Sequence, residues 1–447
     1  MRALWLLTSL LMVLANVDAN AADLPRRGIL GLLLTPTEDG QALKIERIVN
    51  PNAAEVQLND IVVSINGKPL SGPNGLGVAG ATYGLKSGEL ARVAIMRAGK
   101  ALNVTVTPYP AALPVLDGRP IELGAAQATG GPRVRTLFLE PIDKRLARNG
   151  RLPTVMILPG IPCGTVETFG DAGHPYTRLF KVLTAAGFAV GMADKPGQGD
   201  SEGTPCLDGG YDVEERSFSA AARAFSSDRR VDPKRFYMVG LSMGAIQAPI
   251  IAQAAPTAGI VTWGGLVSPW YEYLLTTFAR RDILEGKDGG QIASYRRHWR
   301  RVLAALMVDG KSPQEIKRAM PDSYAAIVAH AGGDLPYFAG RSWTFHREVD
   351  RAPTVSAWNA FGGKLLAMHG EFDWVAEMHD HRLAVDIVNR QHPGNAEFEI
   401  VPGADHIHTK HKSLADSFAK IGQGEPDDAF FNRTAAWLVA QAEGNKG

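Results

Sequence analysis

The most restrictive stretch of this 447-residue chain is Phe236-Tyr237-Met238-Val239-Gly240-Leu241-Ser242-Met243-Gly244. An apolar, strand-like run delivers a serine with glycine two residues to either side and passes directly into the helix-compatible Ala245-Ile246-Gln247-Ala248. Turning from strand to helix in so few residues requires small side chains around the turn, and the turn leaves Ser242 Oγ exposed at the carboxyl edge of a sheet. The rival reading, a glycine-flanked serine that merely caps a helix, gives no account of the strand before it.

Strand-like and helix-like runs alternate on both sides of this turn. Strands are expected at 133–139, 154–158, 188–193, 236–239, 259–263, 364–368 and 397–401, and helices at 176–186, 213–227, 244–254 and 429–442. That alternation builds an α/β fold with a mostly parallel central sheet and helices on both faces. About 100 residues of helical character separate Trp263 from Lys364, too many for one crossover. Residues from about 268 to 355 are therefore expected to form a helical cap.

A serine hydroxyl becomes a useful nucleophile when a base takes its proton, and the base must be held by an acid. Two later strand ends supply them: Asp373 within His369-Gly370-Glu371-Phe372-Asp373-Trp374, and His406 within Val401-Pro402-Gly403-Ala404-Asp405-His406. Loops at one edge of a parallel sheet can bring Ser242, Asp373 and His406 together. Glu371 is the substitute acid and His408 the substitute base. A tetrahedral oxyanion needs two N–H donors, one from Met243 and one from Pro159-Gly160-Ile161-Pro162-Cys163-Gly164. Pro162 carries no amide hydrogen, which leaves Ile161 first and Cys163 second.

The histidines His379, His381, His406, His408 and His411 invite a zinc reading, but neither H-E-x-x-H nor a partnered carboxylate spacing accompanies them, and no metal is assigned. Asp194-Lys195-Pro196-Gly197-Gln198-Gly199 follows a strand but lacks the full dinucleotide spacing, so it reads as a tight turn bordering the site and no cofactor is expected. With 47 basic and 46 acidic side chains, the chain has no electrostatic footprint for nucleic acid. Arg296, Arg297, Arg300 and Arg301, with Arg280 and Arg281 upstream, read as a solvated helix face. Trp263, Trp270, Tyr271 and Tyr273 suit either an apolar acyl pocket or cap packing.

Residues 1–21 join a basic start to an apolar run and end Ala19-Asn20-Ala21, the pattern of a cleaved secretory signal. The run is too short to span a bilayer and no later one is longer, so the mature chain is expected to be secreted or periplasmic, with no transmembrane segment. The only two cysteines, Cys163 and Cys206, are then candidates for one disulfide; two unrelated buried thiols are the alternative. Such a bridge would close a loop worth about 4 kcal/mol on the chain-entropy model.

Residues 22–112 read as a small β-rich domain with tight turns at Asn66-Gly67 and Ala98-Gly99-Lys100. Here Val49-Asn50-Pro51-Asn52-Ala53-Ala54, Leu58-Asn59-Asp60-Ile61-Val62-Val63-Ser64-Ile65-Asn66-Gly67-Lys68-Pro69 and Arg97-Ala98-Gly99-Lys100 resemble a bacterial-type PDZ domain. The resemblance implies capture of a peptide or protein ligand by strand addition, with Gly31-Leu32-Leu33-Leu34 at the carboxylate loop and the groove helix near 72–77. A docking or substrate-gating module is the other reading.

Within a second domain read as 113–447, residues from about 133 to the C-terminus are similar to the α/β-hydrolase superfamily. The similarity is carried, in order, by Leu158-Pro159-Gly160, Asp194-Lys195-Pro196-Gly197-Gln198-Gly199-Asp200-Ser201, Gly240-Leu241-Ser242-Met243-Gly244, His369-Gly370-Glu371-Phe372-Asp373 and Gly403-Ala404-Asp405-His406. Pro159-Gly160 stands where that family usually has His-Gly. The resemblance implies a secreted serine hydrolase that cleaves a small ester through an acyl-enzyme. A peptidase of the proline-iminopeptidase or oligopeptidase type is the nearest rival, and a peptide-binding protein without turnover is the alternative of another class.

Overall fold

The computed structural model describes residues 24–37, 42–70, 77–331, 335 and 337–444; the expected signal, 1–21, lies outside them. In the N-terminal part, period-two burial sets up an antiparallel sheet. Its strands, in spatial order, are Leu32–Pro36 (β1), Leu43–Ile48 (β2), Ile61–Ile65 (β3), Ala91–Arg97 (β4) and Lys100–Val106 (β5), with the short strand Lys68–Pro69 on β3. Ile45, Val62, Ile65, Val93 and Ile95 form its core. Asn66 and Gly67 both take positive φ, 48° and 77°, as a type I′ hairpin turn demands. The helix Gly77–Thr82 (α1) follows, and β1 occupies the sheet edge.

The second sheet has eight strands: Glu122–Gln127 (β6), Arg133–Leu139 (β7), Leu152–Leu158 (β8), Ala189–Ala193 (β9), Val231–Leu241 (β10), Gly259–Trp263 (β11), Lys364–Gly370 (β12) and Ala396–Val401 (β13). Their order is β6-β7-β9-β8-β10-β11-β12-β13, antiparallel for the first two pairings and parallel thereafter. The helices that pack around this sheet are Pro175–Ala185 (α2), Tyr211–Ser227 (α3), Met243–Ile251 (α4), Trp270–Leu284 (α5), Gly289–Leu303 (α6), Pro313–Ala319 (α7), Pro321–Ala331 (α8), Trp343–Asp350 (α9), Thr354–Ala360 (α10), Met378–Gln391 (α11) and Ala429–Gly444 (α12), besides a π-helical turn at Ala304–Val308 and a short helix at Leu414–Ala419.

Alternation along β10 shows why both faces must be covered. Phe236 and Met238 join a core with α3, α4, α10 and α11, while Tyr237, Val239 and Leu241 join one with α2 and α12. Each such side chain contributes about 1.5–3 kcal/mol by leaving water. Helices α5 to α9 form a third core that includes Met243 and Ile246 of α4, so the cap packs directly on the turn after β10. Among the described residues no helix is long and apolar enough to cross a membrane.

The two sheets are joined by charge. Arg26 bonds Glu167 through both terminal nitrogens, at 2.6 and 2.8 Å, and also meets Asp200. Arg27 reaches Glu167 at 2.8 Å and gives its backbone N–H to Asp200. Arg135 of β7, itself buried, holds Asp200 at 3.0 Å and the Leu24 carbonyl at 2.6 Å.

Candidate active site

Five parallel strands, β8, β10, β11, β12 and β13, end at one edge and each releases a loop into the same cavity. Leu241 leads to Ser242, whose φ of 53° and ψ of −116° make the sharp turn into α4. Non-glycine residues rarely hold a positive φ without a reason in the surroundings. The neighbouring glycines are sterically required, because a Cβ at Gly240 would lie 2.5 Å from the Gly244 carbonyl oxygen and one at Gly244 2.2 Å from that of Leu158. Ser242 N–H donates to the Trp263 carbonyl at 2.7 Å, which ties the turn to the end of β11.

Asp373 follows β12 and His406 follows β13, and the structure brings the two together, with His406 Nδ1 2.8 Å from Asp373 Oδ2. The other carboxylate oxygen accepts the N–H groups of Val375 and Ala376 at 2.8 and 2.9 Å. Burial pushes the Asp373 carboxyl up, but the charge and hydrogen bond of His406 outweigh it and leave Asp373 well below the usual carboxylate range. Burial likewise lowers His406, and Asp373 outweighs it, so the imidazole sits above its ordinary value. Trp263 Nε1 donates to the His406 carbonyl at 2.9 Å, so one residue steadies both the serine and the histidine segments. Among the described residues Ser242 Oγ shares no hydrogen bond with His406; both face the same cavity. Such bonds often close only around a substrate.

The cavity, about 580 Å³, runs between the strand ends and the cap. Ile161, Ile246, Trp270, Tyr273, Phe278 and Trp374 give it apolar walls, and Arg281, paired with Glu285 at 3.2 Å, also lines it. Of the aromatic residues singled out in the sequence, Trp263, Trp270 and Tyr273 line it, whereas Tyr271 bonds Asp350 and Arg300 instead. Arg296, Arg297, Arg300 and Arg301 are exposed, but Arg280 leaves the solvated face and caps the Ala376 carbonyl, in the loop after Asp373.

After β8, Gly160 runs past the serine, its would-be Cβ 3.6 Å from Ser242 Cβ. The Gly160 N–H is committed to Tyr176 Oη at 3.1 Å, which leaves Ile161 as the next donor along the loop. Met243 begins α4 and is buried. Cys163 and Cys206 are joined in a disulfide, with Cα atoms 5.8 Å apart, and fasten this loop to the one after β9.

Of the other clustered histidines, His379 is exposed, and His381, His408 and His411 have structural surroundings. His408 stacks on Phe430 and packs at a tilt against Trp263, and burial pushes it down to about 3. His411 bonds Asp405 at 3.0 Å, and His381 lies at the Gly265 N–H. Glu371 accepts the Gly403 N–H at 2.8 Å and so splints the acid loop to the histidine loop.

A family profile described as serine aminopeptidase, S33, matches residues 165–410, more than half of the sequence. The chain belongs to this family of the α/β-hydrolase superfamily. It is a serine hydrolase. Among solved structures it is similar to Est1E from Butyrivibrio proteoclasticus, at 12% identity over 72% of this chain and 99% of that one, with a TM-score of 0.44. It is also similar to a thermophilic esterase from Thermogutta terrifontis, at 15% identity over 72% of this chain and 99% of that one, with a TM-score of 0.40. The α/β hydrolase GrgF from Penicillium sp. sh18 aligns at 15% identity, 72% and 99% coverage and a TM-score of 0.44. Comparison with curated protein sequences returns no match.

Proposed function

We propose that the protein is an exported carboxylic ester hydrolase in which Ser242 attacks the carbonyl, His406 takes and returns the proton, and Asp373 holds the imidazole. Met243 and Ile161 receive the oxyanion, and the acyl-enzyme is released by water. The observation that carries this reading is the Asp373–His406 pair facing the same apolar cavity as the strained serine turn. The aromatic walls favour a substrate with a bulky apolar group.

The family description names an aminopeptidase. An enzyme of that kind must hold a peptide's free ammonium, and among the described residues no carboxylate lines this cavity to do so. Ester cleavage is therefore the preferred reading and peptide cleavage the second. Export is supported by the disulfide, since such bonds persist in oxidising compartments. For the N-terminal domain, the open edge at β1 supports a PDZ-like role in strand addition, with a peptide as ligand.

Labelling with a fluorophosphonate, together with matched ester and aminoacyl-anilide panels on wild type and Ser242→Ala, tests the reading. Turnover of esters and labelling of the wild type alone are expected. Ser242→Ala that still labels and turns over would overturn the assignment, and preference for anilides would exchange ester for peptide.

A further inference from the structure

Beneath the cap, outside the serine, acid and base, lies a buried charged network. Arg341, in the loop before α9, is 1% exposed, as are Glu214 of α3 and Lys195 after β9; Gln247 of α4 is fully buried. Arg341 Nη2 lies 2.8 Å from Glu214 Oε2, and Lys195 Nζ lies 2.8 Å from Glu214 Oε1. Gln247 Nε2 donates to the same Glu214 Oε1 at 3.1 Å. Arg341 also gives Nη1 to the Ile161 carbonyl at 3.3 Å and lies over the Phe345 ring at 3.6 Å. Two buried cations on one carboxylate are expensive to desolvate, and a fold that only needed filling would use apolar side chains there.

The partners explain the expense. Gln247 sits one turn beyond Met243 on α4, so Glu214 touches the helix that supplies one oxyanion donor and, through Arg341, the loop that supplies the other. Around Ile161 the backbone is held on both sides. Tyr176 fixes the Gly160 N–H, Arg341 fixes the Ile161 carbonyl, Pro162 restricts the residue before it, and the disulfide at Cys163 closes the segment. The Ile161 N–H is the group left between these anchors.

We propose that Arg341 is a positioning residue for the oxyanion hole: carried by the cap, it aims the Ile161 N–H and, through Glu214, keeps that donor in register with Met243. The inference rests on the acyl-enzyme reading above. A donor that is present but misaimed loses most of its value, because stabilisation depends on pointing at charge that develops in the transition state.

The test uses the full chain with Arg341→Gln, Arg341→Lys and Ser242→Ala, with active sites titrated by fluorophosphonate. Readouts are kcat and KM for a p-nitrophenyl ester, and inhibition by a trifluoromethyl ketone. In that adduct Ser242 Oγ bonds the carbonyl carbon, the carbonyl π pair moves to oxygen, and His406 keeps the proton. Arg341→Gln is expected to lower kcat per titrated site by about tenfold to a hundredfold, with KM nearly unchanged and the ketone weakened by a similar factor. Arg341→Lys should recover part of both. A role in stability alone would reduce the number of titratable sites and the melting temperature and leave kcat per site and the ketone affinity intact. That result, or loss of kcat with full ketone affinity, overturns the proposal. If Arg341→Gln does not fold, Arg341→Lys decides by the same correlation. Ser242→Ala separates the two readings: retained turnover removes the acyl-enzyme mechanism, whereas abolished turnover with unaltered Arg341 variants removes only this inference.

Discussion

The His406 imidazole rests against Gly264, so near that a Cβ at that glycine would stand 2.5 Å from Cε1. Gly264 also has φ of 64°, which a side chain would strain. Gly264→Ala is therefore expected to push the ring away from its place between Asp373 and the cavity. A displacement of that order should lower kcat/KM by about a hundredfold, with a parallel loss in the rate of fluorophosphonate labelling and a far-UV spectrum like that of the wild type.

Asp373→Asn removes the charge that keeps the proton on His406. In the wild type, kcat/KM should rise with pH as the imidazole loses its proton, with a midpoint above 6.5, because Asp373 favours the protonated form. In the variant the midpoint should move down and the plateau fall by about ten-thousand-fold, as expected when the base is left in the wrong tautomer. A pH–rate profile checks both, and an unchanged midpoint would contradict the pairing.

Asp194 is fully buried, and burial is the largest of the effects that push its carboxyl up to about 7. Between the unfolded value of 3.8 and about 7 the folded chain keeps a proton that the unfolded chain has lost, so stability falls as pH rises through that window. Asp194→Asn keeps an acceptor for the Val166 N–H and cannot ionise. Its melting temperature should exceed that of the wild type at pH 8, by on the order of 5 °C, and approach it at pH 4. Calorimetry at the two values decides.

Replacing both cysteines, Cys163→Ser with Cys206→Ser, frees the loop that carries Ile161. The expected loss is about 4 kcal/mol on the loop-closure model, read from denaturant unfolding. Turnover measured well below the new midpoint should fall too, since the loop can then fluctuate around the serine. Unchanged turnover in the folded variant would mean that the remaining anchors at Gly160 and Ile161 suffice.

Much of the hydrolase sheet was legible because its information is local. Glycines around Ser242 and apolar runs before Asp373 and His406 each state their geometry within a few residues, as the turn pair Asn66-Gly67 does in the N-terminal sheet. The antiparallel start of the sheet was legible in outline only: 111–131, punctuated by proline and glycine, reads as a linker plus an entry strand, and β6 within it, with its small Gly124, Ala125 and Ala126, takes its exact place from pairing with β7. The long-range ionic contacts leave no trace in spacing. Arg341 lies 127 positions from Glu214 and 180 from Ile161, and Arg26 is 174 from Asp200. A charged residue that reads as solvated from its neighbours is buried here because remote segments meet it.

The contacts made by Arg26 and Arg27 bear on how this protein can be divided. Three hydrolase-side acids, Asp194, Glu167 and Asp200, gather at the junction, and the cations facing two of them come partly from the very front of the described chain. Trimming the polypeptide at the apparent boundary near residue 113 would strip those counter-charges and leave like charges facing one another beside the loop that carries Ile161. The front end is thus a fitted part of the catalytic half, and a shortened enzyme would need substitutes for two arginines before its kinetics could be compared with those of the whole.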